Sequence, residues 1–219
     1  IKPHRRRTGR NSNLRRAEHP ERMTLTEGMH SVPAGHIATV VTYLQMTAAA
    51  ITAPKPLPAG MTINQEALDL KDYRALFRAV GAPWLWTSRL VMQDDALRAI
   101  LASADTELWI IRKNGDPIAF IELDFSVSGS CELAFFGMVP VATGQGLGGP
   151  MMAFAQTRAF SRGTSIFTVH TCSLDDPRAL EFYIKARFTP YKREIEVFAD
   201  PRLQGIHAKT TAPQIPCLT

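Results

Sequence analysis

Four glycines fall within six residues, at 144, 146, 148 and 149, directly behind the apolar run Phe135-Phe136-Gly137-Met138-Val139 and its break at Pro140. Glycines this dense let the backbone turn sharply and approach another group with no Cβ in the way. The segment behind them, 150–162, reads as a helix, and a helix start offers unpaired N–H groups and the positive end of a dipole. A loop of this kind can hold phosphate or another anion. Gly144, Gly146 and Gly149 also satisfy the dinucleotide GxGxxG spacing, which carries weight only in a strand–turn–helix context. No GxxxxGK[ST] is present, which argues against a P-loop nucleotidase. Tyr183 is a proton donor at neutral pH, although its helical spacing alone reads as a buried core tyrosine. Glu122 and Glu132 lie on strands, where a carboxylate is either solvated or a proton acceptor. His170 and Cys172 share one strand face, a placement that packing explains as well as nucleophilic chemistry does.

The elements that must position these residues are legible in outline. Residues 36–46 are β-branched enough for a strand, and 52–60, with Pro54, Pro56 and Pro58, read as a linker. From Leu70 the residues Tyr73, Leu76, Phe77 and Val80 follow a helical period, with Gly81 placed as a C′ glycine. Asp94 or Asp95 is expected to cap a second helix, and Trp84, Trp86 and Arg89 lie on the connection between the two. Strands at 107–112 and 118–125 flank Asn114-Gly115, a hairpin signal, and 131–139 gives a third antiparallel strand that runs into the glycine loop. After helix 150–162 and its stop at Gly163 come a strand at 165–172 and a helix capped at Asp176. A last strand at 189–198 and an irregular tail from about 201 close the chain.

Composition narrows the class. At 219 residues and 45% apolar content the chain suits one domain with a proper core. The net charge of +5 is misleading: residues 1–22 carry eight Lys or Arg and two acidic residues, a net +6, which leaves −1 for the remainder. Residues 1–28 therefore read as a basic, disordered leader, partly upstream of a natural start at Met23 or Met29, and 29–219 as the folded domain. The positive charge is not on the folded part, which argues against nucleic acid. No run of about 20 apolar residues suggests a membrane span. Cys131, Cys172 and Cys217 have neither metal-ligand spacing nor an even count, so no metal is expected and the thiols read as reduced in a cytoplasmic protein.

The order of elements argues against a dinucleotide domain, in which the glycine loop follows the first strand of a βα series. It resembles instead the GNAT superfamily of acyl-CoA-dependent N-acyltransferases, and a bacterial branch of it with unassigned substrate. Two motifs carry the resemblance. Thr143-Gly144-Gln145-Gly146-Leu147-Gly148 aligns with the family's [Q/R]xxGx[G/A], with Thr143 where Gln or Arg is usual. Ala179-Leu180-Glu181-Phe182-Tyr183, followed by Arg187-Phe188, aligns with the family's Ala-x-x-x-Tyr…Gly-Phe, with Arg187 where glycine is usual.

The resemblance implies an α/β fold of the α+β type: a mixed, mostly antiparallel sheet with helices on both faces, splayed between the strand before the glycine loop and the next one. It implies an N-acetyltransferase that moves an acetyl group from acetyl-CoA to a primary amine by direct attack. A fold of this family that binds acyl-CoA without catalysis is the alternative. Cofactor contacts are expected from Gly144, Gln145, Gly146, Leu147, Gly148 and Gly149 to the pyrophosphate, and from main-chain groups of Met138 and Val139 to the acyl arm. Gln145 is a partial substitute for the residue missing at 143. Tyr183 is the implied general acid and Glu132 the base, with Glu122 competing. Trp84, Trp86 and Arg89 are the acceptor-site candidates. The partner is a small-molecule or peptide amine, and a homodimer is compatible with all of this.

Overall fold

Among the described residues the chain forms seven strands: β1 His36–Met46, β2 Met61–Gln65, β3 Thr106–Lys113, β4 Asp116–Asp124, β5 Ser130–Met138, β6 Ile166–Cys172 and β7 Thr189–Ala199. They form one sheet in the order β2-β3-β4-β5-β6-β1-β7. Every neighbouring pair is antiparallel except β5 and β6. Among the described residues five α-helices accompany them: α1 Leu70–Gly81, α2 Ser88–Val91, α3 Asp94–Leu101, α4 Gly148–Ser161 and α5 Ala179–Lys185. This computed structural model describes residues 25–53 and 55–219, so the expected leader lies almost wholly outside the described residues. The chain divides into a unit of residues 1–31 and a unit of residues 32–219. In the first, residues 25–31 are exposed and form neither helix nor strand.

The two faces of the sheet carry separate cores. On one, α4 and α5 cover Leu44, Ile121, Leu133, Phe167 and Val169, with Met151, Met152, Ala155 and Ala159 of α4 contributing a stripe at helical spacing. On the other, Tyr73, Leu76, Phe77 and Val80 of α1 and Leu97 of α3 cover Leu108, Ile110 and Phe120. Each such large apolar side chain contributes roughly 1.5–3 kcal/mol on burial. Asp69 caps α1 by accepting from the Asp72 amide at 2.8 Å.

Local departures from the sequence reading have identifiable causes. Gly81 stays right-handed, at φ −94°, and is not a C′ glycine. A Cβ there would lie 2.5 Å from Trp86 Cβ, so close approach is its reason. Gln93, not Asp94 or Asp95, precedes α3; the two aspartates occupy its first turn, where they complement the dipole. Helix α5 starts at Ala179, while Asp176 accepts from the Arg178 amide two residues earlier. Strand β2 went unread because Met-Thr-Ile-Asn-Gln is too polar to signal one; it is an edge strand on β3. Asn114 and Gly115 do adopt positive φ, at 54° and 93°, as a tight hairpin turn requires.

Past Ala199 the chain makes only turns and bends, organised by one buried side chain. Arg202 is 3% exposed, pairs with Asp200 at 2.7 Å and donates to the carbonyls of Ala212 and Ile215. His207 then donates to the Trp86 carbonyl at 3.0 Å and Gln214 to that of Pro83 at 2.7 Å, which holds the tail against the connection between α1 and α2.

Candidate active site

The opening in the sheet follows from how β5 pairs on its two sides. Toward β6 it is paired only at Ser130, Cys131 and Glu132, opposite Ile166, Phe167 and Thr168. Toward β4 it is paired from Glu132 to Met138, with a bulge that leaves Ala134 without an opposite number. Beyond Glu132 the β6-facing edge of β5 is therefore open. The Val139 amide donates to the Ile118 carbonyl at 2.8 Å. Bonding alternates along an antiparallel ladder, so Gly137 and Phe135 also face β4, and the N–H groups of Phe136 and Met138 face the opening. Val139 thus departs from expectation. Its N–H is taken by Ile118 and its carbonyl accepts from Ala142. Phe136 was missed in the sequence, because alternation can be phased only once the Val139 bond is known.

The glycine loop continues from this edge. Gly144 and Gly146 have φ of 81° and 76°, a region costly to any side chain with a Cβ. Among the described residues, no backbone N–H from Gly144 to Gly149 donates a hydrogen bond within the protein. The first bond of α4 is made by Met151, to Leu147. These amides fit a diphosphate. The Gln145 side chain is engaged within the protein. Its Nε2 donates to the Val141 carbonyl at 2.7 Å and its Oε1 accepts from Lys113 Nζ at 2.9 Å. A second cation, Lys55 Nζ, lies 3.8 Å from where a Gly149 Cβ would stand. It comes from the proline-rich stretch that the sequence marks only as a linker.

Side chains gather on both faces of the opening. Tyr183 on α5 is 7% exposed, and its ring meets those of Phe136, Phe182 and Phe188. Its hydroxyl makes no hydrogen bond among the described residues. Burial, and then the charge of Asp175, push the phenol above its ordinary range, so it stays protonated through neutral pH. Because of the bulge, Glu132 lies on the other face, that of Phe135 and α1, and its Oε1 is 3.1 Å from His170 Nδ1. His170 is paired with Glu132, not with Cys172, whose thiol is pushed up chiefly by burial. That removes the nucleophilic reading of the His–Cys pair.

Glu122 is 1% exposed, held by Arg89 Nη2 and Tyr73 Oη at 2.5 Å each. Both of its oxygens are thus engaged inside the protein, whereas Glu132 commits one oxygen to His170. Arg89, whose guanidinium lies over the Phe135 ring at 5.2 Å, is the counter-ion of Glu122. Trp86 fills the room left by Gly81 and Gly137. Its indole donates to Asp175 Oδ1 at 3.1 Å, joining the α1–α2 connection to the turn after β6 on that face. Trp84 is half-buried on the same connection.

Residues 73–188 match the acetyltransferase (GNAT) family. The chain belongs to that family. Its GNAT fold is shared by solved structures of low identity. One is a functionally unknown conserved protein from Staphylococcus epidermidis (14% identity, 76% of this chain and 63% of that one, TM-score 0.59). Another is a GCN5-related N-acetyltransferase from Kribbella flavida (22%, 78% and 63%, TM-score 0.52). A third is the ribosomal-protein-S18-alanine N-acetyltransferase from Escherichia coli (14%, 64% and 94%, TM-score 0.51). This GNAT chain spans less than two thirds of the length of the first two. No match was found among curated proteins. Among the described residues no helix is long and apolar enough to cross a membrane and no cluster of His, Cys, Asp or Glu could hold a metal.

Proposed function

We propose that this GNAT domain is an N-acetyltransferase that moves an acetyl group from acetyl-CoA to a primary amine by direct attack in a ternary complex. The observation that carries this reading is the continuity of the open β5 edge at Phe136 and Met138 with the unpartnered amides of Gly144–Gly149, with Tyr183 against Phe136. The amides of Gln145, Gly146, Gly148 and Gly149 would hold the diphosphate, with Lys55 and Lys113 adding positive charge where Thr143 adds none. An N–H on the open edge would polarise the acyl carbonyl as an oxyanion hole does. The amine nitrogen forms the new bond to that carbon as the C–S bond breaks, and Tyr183 protonates the departing thiolate. The proton leaving the amine goes to the face that carries Glu132 and His170.

The amine reaches the carbonyl from the face of Phe135, where Trp84, Trp86 and Arg89 border it. Arg89 and Glu122 neutralise each other, so they present no net charge to the acceptor. Identification of the co-purifying thioester by mass spectrometry, followed by thiol release across a panel of amines, tests the reading. Transfer to at least one primary amine is expected. Tight thioester binding without transfer to any amine would favour a non-catalytic acyl-CoA-binding module, a reading that Thr143 in place of Gln or Arg keeps in play.

A further inference from the structure

We propose that the proton acceptor on the amine side is His170 Nε2, with Glu132 as its positioning carboxylate, the two forming a dyad where β5 and β6 part. This rests on the acetyltransferase reading above. Glu132 is the last residue of β5 paired to β6, opposite Thr168. His170 is the next residue of β6 on that same face and the first beyond the pairing. The dyad therefore stands at the closed end of the opening, on the face from which the amine arrives.

The bond between them fixes the roles. A carboxylate only accepts, so His170 Nδ1 carries the hydrogen donated to Glu132 Oε1 at 3.1 Å. In the neutral ring the lone pair is then on Nε2, which makes no hydrogen bond among the described residues. The His170 side chain is 48% exposed, enough for an acceptor to reach it. One Glu132 oxygen is already committed to the ring, and a neutral imidazole with a free Nε2 lone pair suits proton abstraction from an ammonium.

Every neighbouring element supplies a group that acts on this ring. Glu132 comes from β5, Tyr43 from β1 with ring centroids 5.8 Å apart, Asp175 from the turn after β6, and Glu196 from β7. Lys192 of β7 stands over the far ring, 4.7 Å from the Tyr43 centroid. Cys172, two residues along β6, remains a neutral thiol. The Glu132 hydrogen bond holds the imidazole above its ordinary value, against the opposing effect of burial, and the charges of Glu132, Asp175 and Glu196 add to it. In the reaction, Nε2 takes the proton that converts the ammonium into the nucleophilic amine and passes it to solvent. The second proton, lost as the amide forms, leaves by the same Nε2 to solvent, and solvent restores to Tyr183 the proton it gives to the thiolate.

Two measurements test the dyad. Without any substrate, the imidazole of His170 is followed by NMR through a pH titration. Its midpoint is expected to fall in Glu132→Gln; an unchanged midpoint would break the link between the two residues. With acetyl-CoA and an amine, Glu132→Gln is expected to retain transfer with the acidic limb of kcat/KM moved to lower pH. His170→Ala is expected to lose about a hundredfold or more in turnover, keep its CoA affinity, and recover in part with added imidazole, a rescue that a purely structural role would not give. Were His170→Ala to keep the wild-type rate and limb while Glu132→Gln lost both, Glu132 would be the base and the proposal would be overturned. A wild-type protein that acetylates no amine would instead overturn the acetyltransferase reading and the dyad with it. A failed dyad leaves wild-type turnover intact, so the two failures are distinct.

Discussion

Arg89 Nη2 lies 2.5 Å from Glu122 Oε1 in a site where the carboxylate is 1% exposed and the guanidinium side chain 13%. Tyr73 donates to the other carboxylate oxygen, and the Arg89 Nε is buried without a partner among the described residues. Charges taken out of water are tolerated only when paired, and removing one partner strands the other. Glu122→Gln is therefore expected to destabilise the fold by about 3 kcal/mol, lowering Tm by roughly 6–12 °C for a domain of this size. The acidic limb of the pH–rate profile should stay where it is. Thermal unfolding and the pH profile together check both halves; a displaced limb would return Glu122 to the proton transfer.

Tyr183→Phe removes one hydroxyl from an apolar nest and leaves the ring contacts with Phe136 and Phe188 in place. Turnover is expected to fall by about 10²- to 10⁴-fold, with CoA affinity and Tm nearly unchanged. Steady-state kinetics beside calorimetric titration of CoA separate these outcomes. Wild-type turnover would remove Tyr183 from the chemistry.

Gly146 holds φ at 76° with open space around it. The Cβ that Gly146→Val adds would therefore meet no clash, and the backbone cost is that of the left-handed region, roughly 1–2 kcal/mol. The added side chain would also crowd the amides on either side. CoA Kd is expected to rise by about tenfold or more, equivalent to about 1.4 kcal/mol. Calorimetry measures it, and an unchanged Kd would move the diphosphate elsewhere.

Arg187 closes α5 in a conformation that suits glycine. Its φ is 74°; the Phe188 amide reaches back to the Tyr183 carbonyl and the Arg187 amide to that of Ile184, at 3.0 Å each. This is the Schellman geometry, kept intact despite the side chain. Arg187→Gly is expected to stabilise the protein by about 1 kcal/mol, raising Tm by roughly 2–4 °C, without affecting activity. Calorimetric melting decides it.

The elements that position the site were readable because each leaves a local trace: Asn114-Gly115 for the hairpin, the Tyr73–Val80 spacing for α1, the dense glycines for the start of α4. Tyr183 and Glu132 could be placed on their elements for the same reason. What could not be read depends on distant partners. The bulge at Ala134 decides which face Glu132 takes, and it exists only in the pairing of β5 with β4. The pairing of Glu132 with His170 joins residues of two strands separated by α4. Lys55 reaches the glycine loop from a segment whose prolines signal only irregularity. The place of β1 in the sheet is likewise invisible, since its own residues say strand and nothing about neighbours.

That place has a consequence for how the molecule is made. Strand β1 is sandwiched between β6 and β7, the last two strands to be synthesised. A growing chain must carry Ile37, Val41 and Leu44 uncovered until nearly all of the domain has left the ribosome, and only then can the sheet zip shut. Pairings between opposite ends of a chain slow folding, and exposed apolar strands invite association. Maturation, more than the finished architecture, is the stage at which this protein is vulnerable.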